Sequence, residues 1–314
     1  MGAARRGGLL RAARGRAGAP AGPLLFGGRS VTIGASPPCE RALVNDTHAT
    51  EDAQVGTFRA RPTVWSVLRA LVRVLRLAWT ALLVFLRPVR ARRGDRAALL
   101  HERAAVLGRA SRRAMRIHGI EIEVSGPLPR GPALVVTNHL SYLDPLVLAT
   151  LVDAVPISKA DVASWPVFGR AARRLGVLFV ARSEAHSRRE VLRAAEQVLR
   201  DGAIVLNFPE GTTTDGSVVL PFRKGLFGVA QALGVPVVPA AIAYEPRELA
   251  WYGDDTFVPH YLRLATMRGA RVVVKLGEPL PPRAYTTAGD LADAARARII
   301  SLLGDGIADL RRAE

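Results

Sequence analysis

From residue 119 onward, short runs of aliphatic and β-branched residues alternate with longer stretches of helical period. That alternation restricts the fold more than any other feature. GIEIEVSG (119–126), ALVVTN (133–138), GVLFVAR (176–182), AIVLNFP (203–209), PVVPAAI (236–242) and RVVVKLG (271–277) read as strands. Helical patterns fall at 146–152, 165–175, 187–200, 222–233 and 288–303. Strand and helix in turn argue an α/β fold, with a mostly parallel central sheet flanked by helices. Such a sheet presents its site at the C-terminal ends of the strands.

The region before residue 119 differs in kind. Residues 1–60 are dominated by Gly, Ala, Pro and Arg with no lasting hydrophobic period, and are expected to form a disordered basic leader. The most apolar long stretch, 64–86, has arginines at 69, 73 and 76, on one helical face. Each arginine at the centre of a spanning helix would cost about 2.5–3.5 kcal/mol. An amphipathic helix lying in the membrane interface fits better, with Trp65, Leu68, Leu71, Val72, Leu75 and Trp79 down and the arginines toward anionic headgroups. Arg87, Arg90, Arg92 and Arg93 follow as a basic cluster suited to anionic lipid. A second helical pattern covers 97–117. The domain reading is a leader (1–60), membrane-associating helices (61–118) and an α/β domain (119–314).

Charge bears on partners. The formal charge is +17, yet residues 1–120 hold 22 arginines against 6 acids, a local +16, and residues 121–314 are nearly neutral at +1. A nucleic-acid-binding body would need its excess within the folded part, so the charge map argues against that class, and no nucleic-acid partner is expected. The single cysteine, Cys39, rules out an intrachain disulfide and a thiolate cluster, and no metal site is expected.

Three polar groups interrupt the apolar strands. His139 follows the strand 133–138, and Asp144 lies five residues on. Asp144 can turn back to one imidazole nitrogen and leave the other as a general base. It can also cap the helix 146–152 with Pro145 at its first position, and the two roles are compatible. Glu210-Gly211-Thr212 closes the strand 203–209, either as a ligand-facing turn or as a polar surface turn. Arg182 closes the strand 176–182, placed either for solvent or for a phosphate.

Taken together these blocks resemble the lysophosphatidic acid acyltransferase family, the glycerolipid acyltransferases. NHLSYLD (138–144) resembles the His-x4-Asp block, GVLFVAR (176–182) the second, FPEGTTT (208–214) the third and VPVVPAAI (235–242) the fourth. The resemblance covers roughly residues 64–280 and implies acyl transfer from a thioester, acyl-CoA or acyl-carrier protein, to a lysolipid hydroxyl. It implies His139 as general base, Asp144 as its orienting partner, and Arg182, Glu210, Gly211, Thr212, Lys159 and Lys224 around the acceptor's head group. It implies no metal or organic cofactor, membrane lipids as partners, and a place on the cytoplasmic face of a membrane. Lysophosphatidic acid is the first expected acceptor. Thr213 stands where many phosphatidate-forming members carry arginine, and that departure brings in other acceptors, of lyso-ornithine-lipid or lysophosphatidylcholine type. A non-catalytic lipid-binding protein is the rival reading.

Overall fold

A computed structural model describes residues 63–86, 95–165, 168–181 and 184–311. The leader 1–60, Cys39, the cluster Arg87–Arg93 and Arg182 lie outside the described residues. Seven strands form one sheet in the order β1-β7-β6-β2-β5-β3-β4. They are β1 (Ile120–Ser125), β2 (Leu134–Thr137), β3 (Ala154–Lys159), β4 (Leu178–Val180), β5 (Ile204–Asn207), β6 (Val237–Glu245) and β7 (Ala270–Leu276). Every neighbouring pair is parallel except β6 and β7, so the expected mostly parallel α/β sheet is what forms.

The helices are α1 (Val64–Leu86), α2 (Arg96–His118), α3 (Asp144–Leu151), α4 (Phe168–Arg174), α5 (Ala185–Arg200), α6 (Gly225–Leu233), α7 (Phe257–Thr266) and α8 (Ala288–Arg311). The period of two along β2 sorts its side chains between two cores. Leu134 and Val136 face the layer of α5, α6 and α8, whereas Val135 faces α2, α3 and α7. Two elements went unread in the sequence. Ala154–Lys159 carries Pro156 and ends in polar residues, which hid β3. The Tyr, Pro, Gly and Asp residues at 244–255 masked the onset of α7.

Cap chemistry bounds α2. Asp95 accepts a hydrogen bond from the Ala98 amide at 2.8 Å, and Gly119 ends the helix at φ 67°. That left-handed glycine turns the chain into β1, whose whole length pairs with β7 from Ile120↔Ala270 to Ser125↔Lys275.

The face assignment of α1 requires correction. Arg73 is buried, and its guanidinium donates to the carbonyls of Ile117 (2.9 Å), His118 (2.8 Å), Ala265 (3.1 Å), Met267 (2.6 Å) and Arg268 (3.3 Å). Arg69 donates to the Thr266 carbonyl at 2.8 Å. The two arginines therefore point at the protein, not at headgroups. The C-terminal ends of α2 and α7 leave carbonyls without intrahelical partners, and a cation there satisfies them and opposes the helix dipoles. Trp65, Leu71, Leu75 and Trp79 remain more than half exposed along the outer face. Among the described residues no helix is long and apolar enough to cross a membrane.

Candidate active site

The site forms where β2 stops. Its backbone ladder with β6 reaches Thr137↔Ala240. The Asn138 side chain extends it one step: its Nδ2 donates to the Ile242 carbonyl and its Oδ1 accepts from the Ile242 amide, both at 2.9 Å. A side chain thus does a backbone's work, and the main chain is free to turn out of the sheet at His139.

His139 is held on every side. Its backbone amide donates to Glu210 Oε1 at 2.8 Å, and its carbonyl accepts from the Thr214 amide at 2.9 Å. Its ring stacks on Phe208, centroid to centroid 4.2 Å. Its Nδ1 lies 2.7 Å from Asp144 Oδ2.

Asp144 is fully buried at the first turn of α3. Its Oδ2 also accepts from the amides of Leu140 (2.7 Å) and Ser141 (3.0 Å), and its Oδ1 accepts from the Tyr244 hydroxyl at 2.5 Å. The capping alternative therefore fails: the carboxylate closes the turn before α3 and makes no cap bond to its own helix. An ionised carboxylate only accepts, so Nδ1 carries the ring proton and Nε2 keeps its lone pair. Such a nitrogen can take a proton from a hydroxyl brought within hydrogen-bond reach.

Glu210 is buried, with Oε2 accepting from the Leu220 amide at 2.9 Å. Burial raises its pKa from the ordinary carboxylate value, and the two backbone donors oppose that rise. Each oxygen thus holds a backbone amide, Oε1 that of His139 and Oε2 that of Leu220. Gly211 adopts φ 77°, a conformation that disfavours side chains, and the Arg223 guanidinium lies where its Cβ would be.

His139 opens onto a largely apolar cavity of about 610 Å³ between the sheet edge and α1, α2 and α7. The volume suits a small-molecule or acyl-chain site, which typically measures roughly 300–1,000 Å³. Leu77 and Val84 of α1, Leu107 and Met115 of α2, and Leu264 of α7 contribute to its walls. Thr212 and Lys159 line it, as do Thr213, Tyr142 and Trp251. The structure therefore gathers His139, Thr212 and Lys159 around one cavity, with Asp144, Glu210 and Gly211 behind them.

Lys224 is not gathered there. It sits at the start of α6, with its ammonium against Gly289 at the start of α8, on the opposite face of the sheet from the cavity. Its expected place around a head group is corrected accordingly. Tyr244 escaped the sequence reading because 100 residues separate it from Asp144, and only the pairing of β6 with β2 joins them. The one local signal was a polar aromatic residue closing an otherwise apolar strand. Tyr142 packs among Trp251, Phe257 and His260 and donates to His260 Nδ1 at 3.0 Å.

Comparison with known proteins agrees with the geometry. Residues 119–243 match the family model described as Acyltransferase. A lyso-ornithine lipid O-acyltransferase of Pseudomonas aeruginosa is 37% identical over 189 residues, covering 59% of this chain and 73% of that protein. One from Rhizobium meliloti is 33% identical, covering 60% and 70%. A 1-acyl-sn-glycerol-3-phosphate acyltransferase of Neisseria gonorrhoeae is 33% identical, covering 40% of this chain and half of that protein. The crystal structure of the 1-acyl-sn-glycerophosphate acyltransferase PlsC from Thermotoga maritima shares the fold, with a TM-score of 0.57 at 23% identity over 79% of this chain and 97% of that one. A histidine held by a buried carboxylate at the sheet's C-terminal edge, and relatives matched over more than two thirds of their length, place this chain in the acyltransferase family.

Proposed function

We propose that this chain moves a fatty acyl group from a thioester, acyl-CoA or acyl-carrier protein, to the free hydroxyl of a lysolipid of the lyso-ornithine type. The observation that carries this reading is the Asp144–His139 pair, 2.7 Å apart, at the mouth of an apolar cavity. His139 Nε2 takes the proton of the acceptor hydroxyl as its oxygen bonds to the thioester carbonyl carbon. Asp144 holds Nδ1–H and stabilises the imidazolium that forms. The tetrahedral intermediate then expels the thiolate, the C–S bond breaks, and the proton on His139 passes to the departing sulfur. The thioester is already activated, so the chemistry asks for no metal or organic cofactor. A positioned base of this kind is worth about 10²–10⁴-fold.

Two observations favour the lyso-ornithine acceptor. Thr213 occupies the cavity wall where a phosphate-gripping arginine would stand. Four relatives named for lyso-ornithine lipid are also matched over 70–78% of their length, against half for the Neisseria protein. Lysophosphatidic acid is the second reading, supported by relatives named for 1-acyl-sn-glycerol-3-phosphate.

Work on such acceptors takes place at a membrane surface. The outer face of α1, with Trp65, Leu71, Leu75 and Trp79, supplies an apolar stripe to sink into the interface on the cytoplasmic side. The test is transfer of a labelled acyl group from a thioester to a panel of lysolipids by the purified chain. Diacylated product that disappears in His139→Ala supports the reading. Folded protein that transfers to none of them overturns it.

A further inference from the structure

Only two permanently charged side chains line the cavity among the described residues, Lys159 and Asp161, and they pair with each other. Lys159 ends β3, and Asp161 lies in the first turn of the short 3-10 helix (Ala160–Ser164) that follows. Their position relative to the base follows from the strand registers. Pro156 pairs with Leu206, and Val136 with Asn207, so Lys159 and His139 lie level with the same short stretch beyond β5. One strand, β5, separates β2 from β3. Two strand spacings put the ion pair roughly 10 Å from the base across the sheet edge. Both side chains are more than half exposed, so a head group can reach them.

The charge of this rim decides what it can hold. A phosphomonoester carries close to two negative charges at neutral pH and meets Asp161 with Lys159 already engaged. A head group bearing both a carboxylate and an ammonium meets each charge with its opposite. It exchanges one ion pair for two and leaves no charge unmatched. We propose that Lys159 and Asp161 together read a zwitterionic amino-acid head group. Lys159 receives the carboxylate and Asp161 the ammonium, which makes Asp161 a specificity-determining residue that selects against phosphate. This inference rests on the acyl-transfer reading above and names the head-group contacts of that same site.

The test is kcat/KM of the full chain in detergent micelles with one acyl thioester and two acceptors, lyso-ornithine lipid and lysophosphatidic acid. Asp161→Asn is expected to shift the ratio of the two by about tenfold toward lysophosphatidic acid, equivalent to about 1.4 kcal/mol. The shift should appear in KM rather than kcat, and should shrink as salt screens the exposed charges. Asp161→Glu should restore the preference. If the wild-type chain gives no measurable turnover with lysophosphatidic acid, the rise in KM for lyso-ornithine lipid is the reading instead. An unchanged preference, or an equal loss on both acceptors, overturns the proposal. So does a wild-type chain that acylates lysophosphatidic acid alone, although acyl transfer itself then stands. No transfer to either acceptor from any donor means that the underlying reading has failed as well.

Discussion

Asp144 is the group on which the site depends most, and Asp144→Asn isolates its charge from its shape. The carboxylate accepts four hydrogen bonds, from His139 Nδ1, the amides of Leu140 and Ser141, and the Tyr244 hydroxyl. An asparagine with its carbonyl oxygen at the Oδ2 position keeps the first three. Its amide then faces Tyr244, whose hydroxyl rotates to accept. Geometry survives and charge does not. Hydrogen bonds to charged groups contribute about 1.5–3 kcal/mol and neutral ones about 0.5–1.5, so the two backbone bonds together lose about 2 kcal/mol of stability. For a chain of this size that lowers Tm by about 4–8 °C. The effect on turnover is larger. A carboxylate and an imidazolium about 4 Å apart between charge centres interact by about 4 kcal/mol at an effective dielectric constant near 20. Removing that from the transition state slows kcat by about 10³-fold. Steady-state transfer of a labelled acyl group, run beside circular dichroism melts of the same preparations, measures both quantities. A variant that melts cooperatively within this range yet keeps kcat within tenfold of wild type would refute the electrostatic role of Asp144.

Tyr244→Phe deprives a fully buried carboxylate oxygen of its donor and should cost about 1–3 kcal/mol in chemical denaturation, with a drop in turnover while lysolipid binding is retained. Arg73→Met leaves the carbonyls at the ends of α2 and α7 without their donor, and should cost on the order of 3 kcal/mol. Limited proteolysis should then cut α1 first. His118 is buried beside Arg73, and burial lowers its pKa below the ordinary 6.5, so the folded state holds it neutral. Its contribution is fully present above pH 6.5 and is lost as pH falls from there through the folded value. Melting temperatures between pH 8 and 5 should fall on the acid side, and His118→Gln should flatten that fall.

How much was legible in advance follows from the range of the interactions involved. Alternation of apolar strands and periodic helices is a local property, and it foretold the mostly parallel sheet. His139 and Asp144 stand five residues apart, close enough for a single turn to join them, so their pairing was readable as one of two alternatives. The choice between cap and partner needed coordinates, because it depends on which amides the carboxylate meets. Glu210 reads in the sequence as closing either a ligand-facing turn or a polar surface turn. In the fold its oxygens accept from the amide of Leu220, ten residues away, and from that of His139, which only chain folding over a separation of 71 residues brings near.

For this protein the sequence alone decides the layer architecture, the closeness of His139 to Asp144 and the existence of an amphipathic N-terminal helix, since each is encoded within a few turns of chain. The tertiary structure alone decides which way that helix faces. The arginine stripe of α1 carries the same periodicity whether it meets lipid phosphates or helix-end carbonyls, and only the packing of α1 against α2 and α7 shows that Arg73 takes the carbonyls. The same holds for Tyr244 behind Asp144 and for Lys224 on the far face of the sheet. Strand order sets those distances, and no local pattern in the chain encodes which strands become neighbours.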